Sequence, residues 1–310
     1  MRVFLAGATG VIGARLLPLL RAAGHEVTAM TRSPQRAEAL RAAGAQAAVA
    51  DALDADTVNA AFARARPDAV IHQLTSLPQR IDPRRMERDF AINDRLRSEG
   101  TRILVDAASA AGATRIVAQS IAFAYAPGEP GTLHGEDDPL NLDAREPFRR
   151  SVRAVAELER TVAQARGVVL RYGYFYGPRS AISRDGSMAE ELARRRMPIV
   201  GGGEGVWSFI HVDDAAQATL AALARERPGI FNIVDDDPAP VSQWLPALAA
   251  ALGAPRPLRV PAWIARIVAG SYGVEAMTRA QGASNELARS QLGWAPERSS
   301  WREGFRDGLA

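Results

Sequence analysis

Residues 2–22 read RVFLAGATGVIGARLLPLLRA: an apolar run, three glycines spaced three apart, then an apolar pattern of helical period. A run without polar alternation is a strand buried on both faces, and glycines at its end let the chain turn tightly into a helix. The same alternation recurs. EVTAMTR (26–32), AQAAVAD (45–51), AVIHQLT (69–75) and RIVAQSIA (115–122) read as strands. Helical patterns start near Val11 and cover about 34–43, 54–65 and 84–111. Strands of this kind separated by helices predict an α/β fold, a doubly wound parallel sheet covered by helices on both faces. A helix over about 147–166 and a strand GVVLRYGYF (167–175) extend the series. Past Gly177 the pattern gives way to Gly, Pro and Arg, then a helix over 213–225 and the strand GIFNIVD (229–235) return to the sheet. The expected organisation is a Rossmann domain from 1–176 and 212–235, and a smaller substrate-binding domain from 177–211 and 236–310.

Composition removes several chemistries. The 310 residues contain no cysteine, so disulfides, thiolate nucleophiles and Cys-ligated metals are excluded. They contain no lysine either: all 38 basic side chains other than His are arginine, against 35 acidic ones. That accounts for a pI near 9.7 and excludes Schiff-base chemistry and any lysine-assisted proton relay. The arginines are interleaved with acids, as in Asp82 to Asp89, which predicts solvated helix faces and no nucleic-acid partner. No apolar run reaches the ~18 residues of a membrane span, and the N-terminus enters a strand at once, so a cytoplasmic location without membrane contact is expected. The richness in Arg and Ala suggests a GC-rich bacterial genome.

Gly7, Gly10 and Gly13 lie between a strand and a helix. The first permits the turn, the second lets backbone approach a pyrophosphate, and the third lets the helix pack against the sheet. The helix N-terminus then faces the anion. The second strand ends Thr31-Arg32-Ser33, where an NAD site would carry an acid for the ribose hydroxyl. Arg32, with Ser33 and Arg36, suits the 2′-phosphate of NADP(H) instead. Asp51, ending the third strand, is a candidate for the adenine amino group or a plain helix-entry aspartate.

GATGVIG, Asp51, Asn93 with Gly100-Thr101, LRYGYFYGP (170–178) and FIHVDDAA (209–216) together resemble the extended short-chain dehydrogenase/reductase family, in its NAD-dependent epimerase/dehydratase branch. The resemblance implies dinucleotide contacts from Thr9, Val11, Ile12, Ala52, Leu74, Thr75, Asn93, Gln119, Tyr172 and Tyr174. It implies a cleft between two domains and a homodimer formed through the helices at about 84–111 and 147–166. It also implies a catalytic tyrosine with a lysine four residues on, and a nearby Ser or Thr. The matching positions hold Phe148, Val152 and Ile121, with Ser120 one residue earlier. Phe148, Val152, Val155 and Val162 form an apolar stripe at helical spacing. The arginine that grips a nucleotide diphosphate in sugar-nucleotide enzymes is Trp207, and the substrate-binding Asn is Tyr174. An aromatic cannot replace a bidentate arginine on phosphate, so a smaller organic substrate is expected, with Ile121, Tyr125, Phe148, Tyr174, Phe175 and Trp207 as its contacts.

Tyr174, Tyr125 and Ser120 are the candidate proton donors. A tyrosine without a neighbouring cation keeps a pKa near ~10 and serves as an acid better than as a base. That favours an NADP(H)-dependent reductase of a carbonyl, enone or imine. The alternatives are a redox-neutral epimerase, dehydratase or isomerase using bound NAD(P), and a non-catalytic NADP(H)-binding sensor. His211 beside Asp213 and Asp214 reads as structural, with Asp213 capping a helix. His72 reads as satisfied within the sheet. His134 with Glu136, Asp137 and Asp138 fits no standard metal spacing and reads as a solvated loop, so no metal is expected.

Overall fold

The computed structural model describes residues 1–78, 80, 85–129 and 131–310. Strands β1 (Arg2–Ala6), β2 (Glu26–Thr31), β3 (Gln46–Val49), β4 (Ala69–His72) and β5 (Arg115–Ile121) alternate with helices α1 (Gly13–Ala22), α2 (Pro34–Ala42), α3 (Ala55–Ala65), α4 (Met86–Arg95) and α5 (Thr101–Ala110). A π-helical segment, Leu96–Gly100, joins α4 to α5. Then follow α6 (Phe148–Gln164), β6 (Val168–Tyr172), β7 (Tyr174–Tyr176), α7 (Ser187–Ala193), β8 (Ile199–Val200), β9 (Val206–Trp207), β10 (Phe209–His211), α8 (Val212–Ala224) and β11 (Gly229–Ile233). The tail carries β12 (Ala239–Pro240), α9 (Val241–Ala251), β13 (Arg259–Val260), α10 (Ala262–Thr278), α11 (Glu286–Leu292) and α12 (Trp301–Asp307).

Seven strands form one parallel sheet in the order β11-β6-β5-β4-β1-β2-β3. Strand order reverses between β1 and β4, and that is where open α/β sheets leave a crevice at their carboxyl ends. The period of two along β1 divides the core. Val3 and Leu5 join Leu16, Leu20 and Ala215 on one face; Phe4 and Ala6 join Phe62, Leu104 and Leu158 on the other. A separate aromatic core gathers Tyr176, Trp207, Phe209, Trp244, Trp301 and Phe305 from the segments beyond the sheet. No helix among the described residues is long and apolar enough to cross a membrane.

Three expectations change. The strand expected over 167–175 breaks at Gly173: β6 stays in the main sheet, while β7 leaves it to pair with β10. A Cβ on Gly173 would lie 2.5 Å from the backbone oxygen of Ser208, so glycine lets two backbones meet where the chain crosses. The helix expected over 84–111 is interrupted by the π segment, and its expected first residue lies outside the described residues. Asp82 of the interleaved charge cluster lies outside them as well. Finally, His211, not Asp213, caps α8: its ring Nδ1 accepts from the Asp213 N–H at 3.2 Å.

Candidate functional site

The glycine turn forms a cradle that side chains would fill. Gly7 has φ +96°, and a Cβ there would stand 2.5 Å from the Gln73 carbonyl oxygen. A Cβ on Gly13 would stand 2.1 Å from the Gly7 oxygen. The Gly10 N–H donates back to that oxygen at 3.0 Å, closing the turn against the start of α1. Ile12 and Ala52 are buried in the two cores, so only their backbones are available to a ligand. Asn93 is fully buried; its Oδ1 accepts from the Ser76 N–H at 3.1 Å, while its Nδ2 has no partner among the described residues. Gln73 Oε1 is likewise enclosed without a partner. Two orphaned polar atoms beside a backbone cradle at the switch point fit a dinucleotide whose polar edge supplies the missing bonds.

Around the adenine end, Arg32 and Arg36 are exposed and Asp51 is half-buried. Ser33 is the N-cap of α2: its Oγ accepts from the Arg36 N–H at 3.3 Å. Asp51 accepts from the Leu53 N–H at 3.1 Å. Leu74 packs at the edge of a core and Thr75 is exposed. Thr9 is half-buried, and its carbonyl accepts from Arg179 at 3.1 Å. Gln119 is half-buried on β5. The Tyr172 hydroxyl is committed to Thr219 at 2.7 Å and Gln73 at 3.1 Å, and burial pushes that phenol up to about 12.

Beyond the carboxyl end of β5 lies a cavity of about 340 Å³, lined by Phe123, Tyr125, Phe148, Tyr174, Trp207 and Tyr272 among others. Tyr174 is the middle leaf of a three-ring stack, 4.4 Å from Phe123 and 3.8 Å from Trp207, within 14° of parallel. The Trp207 indole N–H donates to the Ala276 carbonyl at 2.8 Å and fixes the stack. Both faces of Tyr174 are therefore covered, leaving its edge to the cavity. Of the expected substrate contacts, the structure brings Tyr125, Phe148, Tyr174 and Trp207 together here. Phe175 points instead to the core against Tyr172, 5.2 Å away. Ile121 packs with Val152 and Val155 in an apolar cluster behind Phe148.

Phe148 opens α6, and its ring meets that of Tyr272 on α10 at 4.2 Å. A phenol thus stands against the position where the resemblance expects one, supplied from 124 residues further along the chain. Tyr272 also lies near Tyr174. Burial holds Tyr174 well above the ordinary phenol value, and the neighbouring Tyr272 phenol adds to the rise. Burial pushes Tyr272 up to about 12, while the neighbouring Tyr174 hydroxyl and the charge of Arg97 oppose the rise. Both phenols stay neutral at ordinary pH.

The other two expected donors belong to a buried network. Ser120 Oγ donates to Glu159 Oε1 at 2.7 Å. Arg171 donates to both Glu159 oxygens, at 2.8 and 2.6 Å, and to the Tyr125 hydroxyl at 2.8 Å. Tyr125 in turn donates to Asn232 Oδ1 at 2.6 Å, and burial pushes it up to about 12. The loop at 134–138, expected to be solvated, is tied into the same network. His134 is buried, stacks on Tyr125 at 4.6 Å and bonds Asp138 at 2.8 Å, while Glu136 accepts from the Asn232 N–H at 2.7 Å. The Tyr125 ring covers that histidine and Asn232 on β11 donates to its carbonyl at 3.3 Å, contacts that loop composition does not reveal. Among the described residues no cluster of metal-ligating side chains occurs. His72 is satisfied, with Nε2 against Thr101 Oγ1 at 3.0 Å and Nδ1 accepting from the Leu74 N–H.

Sequence reasoning missed Tyr272 and the Arg171–Glu159 pair. Tyr272 sits in a tail helix with no motif around it. Glu159 was legible in one respect: it falls between Val155 and Val162 on the face of α6 that is otherwise hydrocarbon, and a carboxylate there needs a buried partner.

A parallel sheet with a glycine cradle at its switch point, and an aromatic cavity beside it, defines a dinucleotide-binding α/β protein. The chain belongs to the NAD dependent epimerase/dehydratase family, whose description is matched over residues 3–234. It is 50% identical over 310 residues to a 3-diazoavenalumate denitrifying reductase of a Streptomyces species, covering 98% of this chain and 99% of the relative. A 4-hydroxy-2-methyl-3-oxo-4-farnesyl-3,4-dihydroquinoline-1-oxide ketoreductase of Stigmatella aurantiaca is 26% identical over 82% of this chain and 74% of its own. In fold it is similar to a UDP-glucose 4-epimerase of Thermotoga maritima in crystals with UDP-glucose, with a TM-score of 0.79, 21% identity, and coverage of 100% of this chain and 97% of that one.

Proposed function

We propose that this protein is an NADP(H)-dependent reductase that removes the nitrogen of a small diazo compound as N2. The observation that carries the reading is 50% identity, over 98% of the chain, to a relative named for that reaction. The site chemistry agrees with it. A bound reduced nicotinamide supplies two electrons and a hydrogen as hydride. Carbonyl reduction builds an alkoxide on the reacting carbon, and the family's phenol and ammonium serve that oxygen. A diazo carbon exchanges its carbon–nitrogen bond for carbon–hydrogen and discards the nitrogen as a neutral gas. No alkoxide forms there, so Phe148 and Val152 can be hydrocarbon. They exclude water from the reacting centre, and the Phe123–Tyr174–Trp207 stack offers a rigid aromatic wall to a flat substrate.

The test uses NADPH deuterated at the transferable position, a diazo substrate and a matching ketone. Deuterium on the former diazo carbon with one N2 per NADPH is the expected result. Deuterium only in an alcohol from the ketone would replace this reading by ordinary ketoreduction.

NADP(H) preference is expected from Arg32, just past β2, and Arg36, in the first turn of α2, both exposed and with no ion pair among the described residues. A charge-assisted bond from Arg32 to a phosphate is worth roughly 1.5–3 kcal/mol. Arg32→Ala should therefore weaken NADPH binding by about 10–100-fold while leaving NADH within about twofold. Titration of both nucleotides by fluorescence checks this; equal losses would assign Arg32 to the surface.

A further inference from the structure

His134 is buried, lines the cavity and keeps one ring nitrogen free. Its Nδ1 lies 2.8 Å from Asp138 Oδ2, and no hydrogen bond reaches its Nε2 among the described residues. The other histidines offer no such atom to the site. Both ring nitrogens of His72 are bonded, and so are both of His211. His25 precedes β2, at the amino end of a parallel sheet whose carboxyl end carries the cavity. The His134 ring is fixed in place. It stacks on Tyr125 at 4.6 Å and 16°, while its N–H donates to the Gly282 carbonyl at 2.8 Å and its carbonyl accepts from the Ser284 N–H at 2.9 Å. Asp138 is held in turn by the Gly135 N–H at 3.1 Å. The bond from His134 holds the Asp138 carboxyl below the usual carboxylate range, so it is ionised and only accepts. Nδ1 therefore carries the proton, and Nε2 is the atom that gains or gives one. A side chain at 128 would crowd that ring edge, since a Cβ on Gly128 would lie 3.1 Å from His134 Cε1. The phenols of the cavity serve less well. The Tyr125 hydroxyl is committed to Asn232 and Arg171, and Tyr174 and Tyr272 hold their protons more tightly than a phenol in water.

We infer that His134, oriented by Asp138, is the general acid of the reaction, and that its substrate is a neutral diazo compound conjugated to an oxygen. This rests on the reductase reading above. Hydride added to a neutral diazo compound leaves a negative charge behind, so the reaction also consumes a proton. In a quinone diazide that charge rests on the oxygen. The hydride forms the C–H bond at the diazo carbon, the C–N bond breaks and N2 leaves, while His134 passes its Nε2 proton to the oxygen. The nicotinamide is oxidised, the substrate carbon is reduced, and the products are a phenol, N2 and a neutral imidazole. Nε2 takes a fresh proton from water when the phenol leaves. An imidazole held by a carboxylate thus transfers a proton in a chain that has no lysine to assist a phenol. An arenediazonium makes no such demand. It is already a cation, and hydride converts it to an arene and N2 without any proton.

An ortho-quinone diazide and benzenediazonium, which share a ring and differ in the oxygen, make the test with NADPH. His134→Gln should lower kcat for the quinone diazide by about 100-fold or more and leave that for benzenediazonium within about threefold. Asp138→Asn should slow the quinone diazide alone, because the ring loses the carboxylate that sets its tautomer. That variant carries the test if the Gln variant does not fold. Imidazole added to solution should restore part of the quinone diazide rate to His134→Gly. Equal losses on both compounds, no loss on either, or a wild type that consumes benzenediazonium alone overturns the inference. Where the wild type takes only the quinone diazide, imidazole rescue decides: its presence supports the acid and its absence overturns it. Consumption of neither compound sinks the reductase reading, and alkylation by phenacyl bromide then decides on the histidine. Modification of His134 at Nε2, with His72 and His211 spared, keeps a reactive imidazole in the cavity; an unmodified His134 removes it.

Discussion

Gly13→Ala should weaken NADPH binding by about 100-fold or more and lower the stability of the fold by roughly 1–3 kcal/mol. The added Cβ would lie 2.1 Å from the Gly7 oxygen and 2.7 Å from the Ala8 Cα. Both neighbours are backbone, so no rotamer change relieves the contact. Carbon contacts settle at about 3.5–4.0 Å, so α1 must move away from the turn by more than about 1 Å. That movement pulls the helix N-terminus from the pyrophosphate, and two charge-assisted bonds of about 1.5 kcal/mol each account for the loss. Isothermal titration with NADPH, beside urea unfolding, measures both effects. Retained affinity would mean that the turn does not hold the pyrophosphate. Gly24→Ala is the control. It is a positive-φ glycine with nothing within 4 Å of its Cβ position, so it should cost a little backbone strain and leave binding alone.

Arg171→Met should cost about 3–5 kcal/mol of stability. Arg171 and Glu159 are 4% and 6% exposed at their side chains, with 2.6 Å between Nη2 and Oε2. Removing the arginine leaves a carboxylate buried beside Ser120, and also strips the Tyr125 hydroxyl and the Glu136 carbonyl of a donor. The double variant Arg171→Met with Glu159→Leu should recover most of the loss, because it removes the stranded charge as well. By contrast Arg2→Met, which breaks a pair with Asp68 that is over 40% exposed on both sides, should cost little, because water screens an exposed pair. Urea midpoints at unchanged m-value read all three. Equal losses for Arg171→Met and Arg2→Met would mean that the buried network does not hold the sheet to α6.

The fold was legible because its signals are local. Each strand is a short apolar run, each helix repeats at 3.6 residues, and the glycines fall where strand passes to helix. The breaks were less legible. Residues 167–175 read as one strand, since the departure at Gly173 depends on Ser208 approaching from another segment. The cofactor turn could be read because all its parts lie within a dozen residues. The cavity could be read only in part: Phe148, Tyr174 and Trp207 stand at positions the family resemblance marks, whereas Phe123 and Tyr272 do not.

The sequence by itself determined that a parallel sheet with a glycine turn would form, and that lysine and thiol chemistry are absent. It also placed hydrocarbon at Phe148 and Val152, so the family's usual proton relay was ruled out before any coordinates. Only the tertiary structure decided what stands in that place. Tyr272 comes from the tail to stand against Phe148, and no period or motif marks its position. Burial is what makes it chemically distinctive, because a phenol's proton affinity is set by the water and partners around it. Those are properties of three-dimensional surroundings, assembled here from segments more than a hundred residues apart.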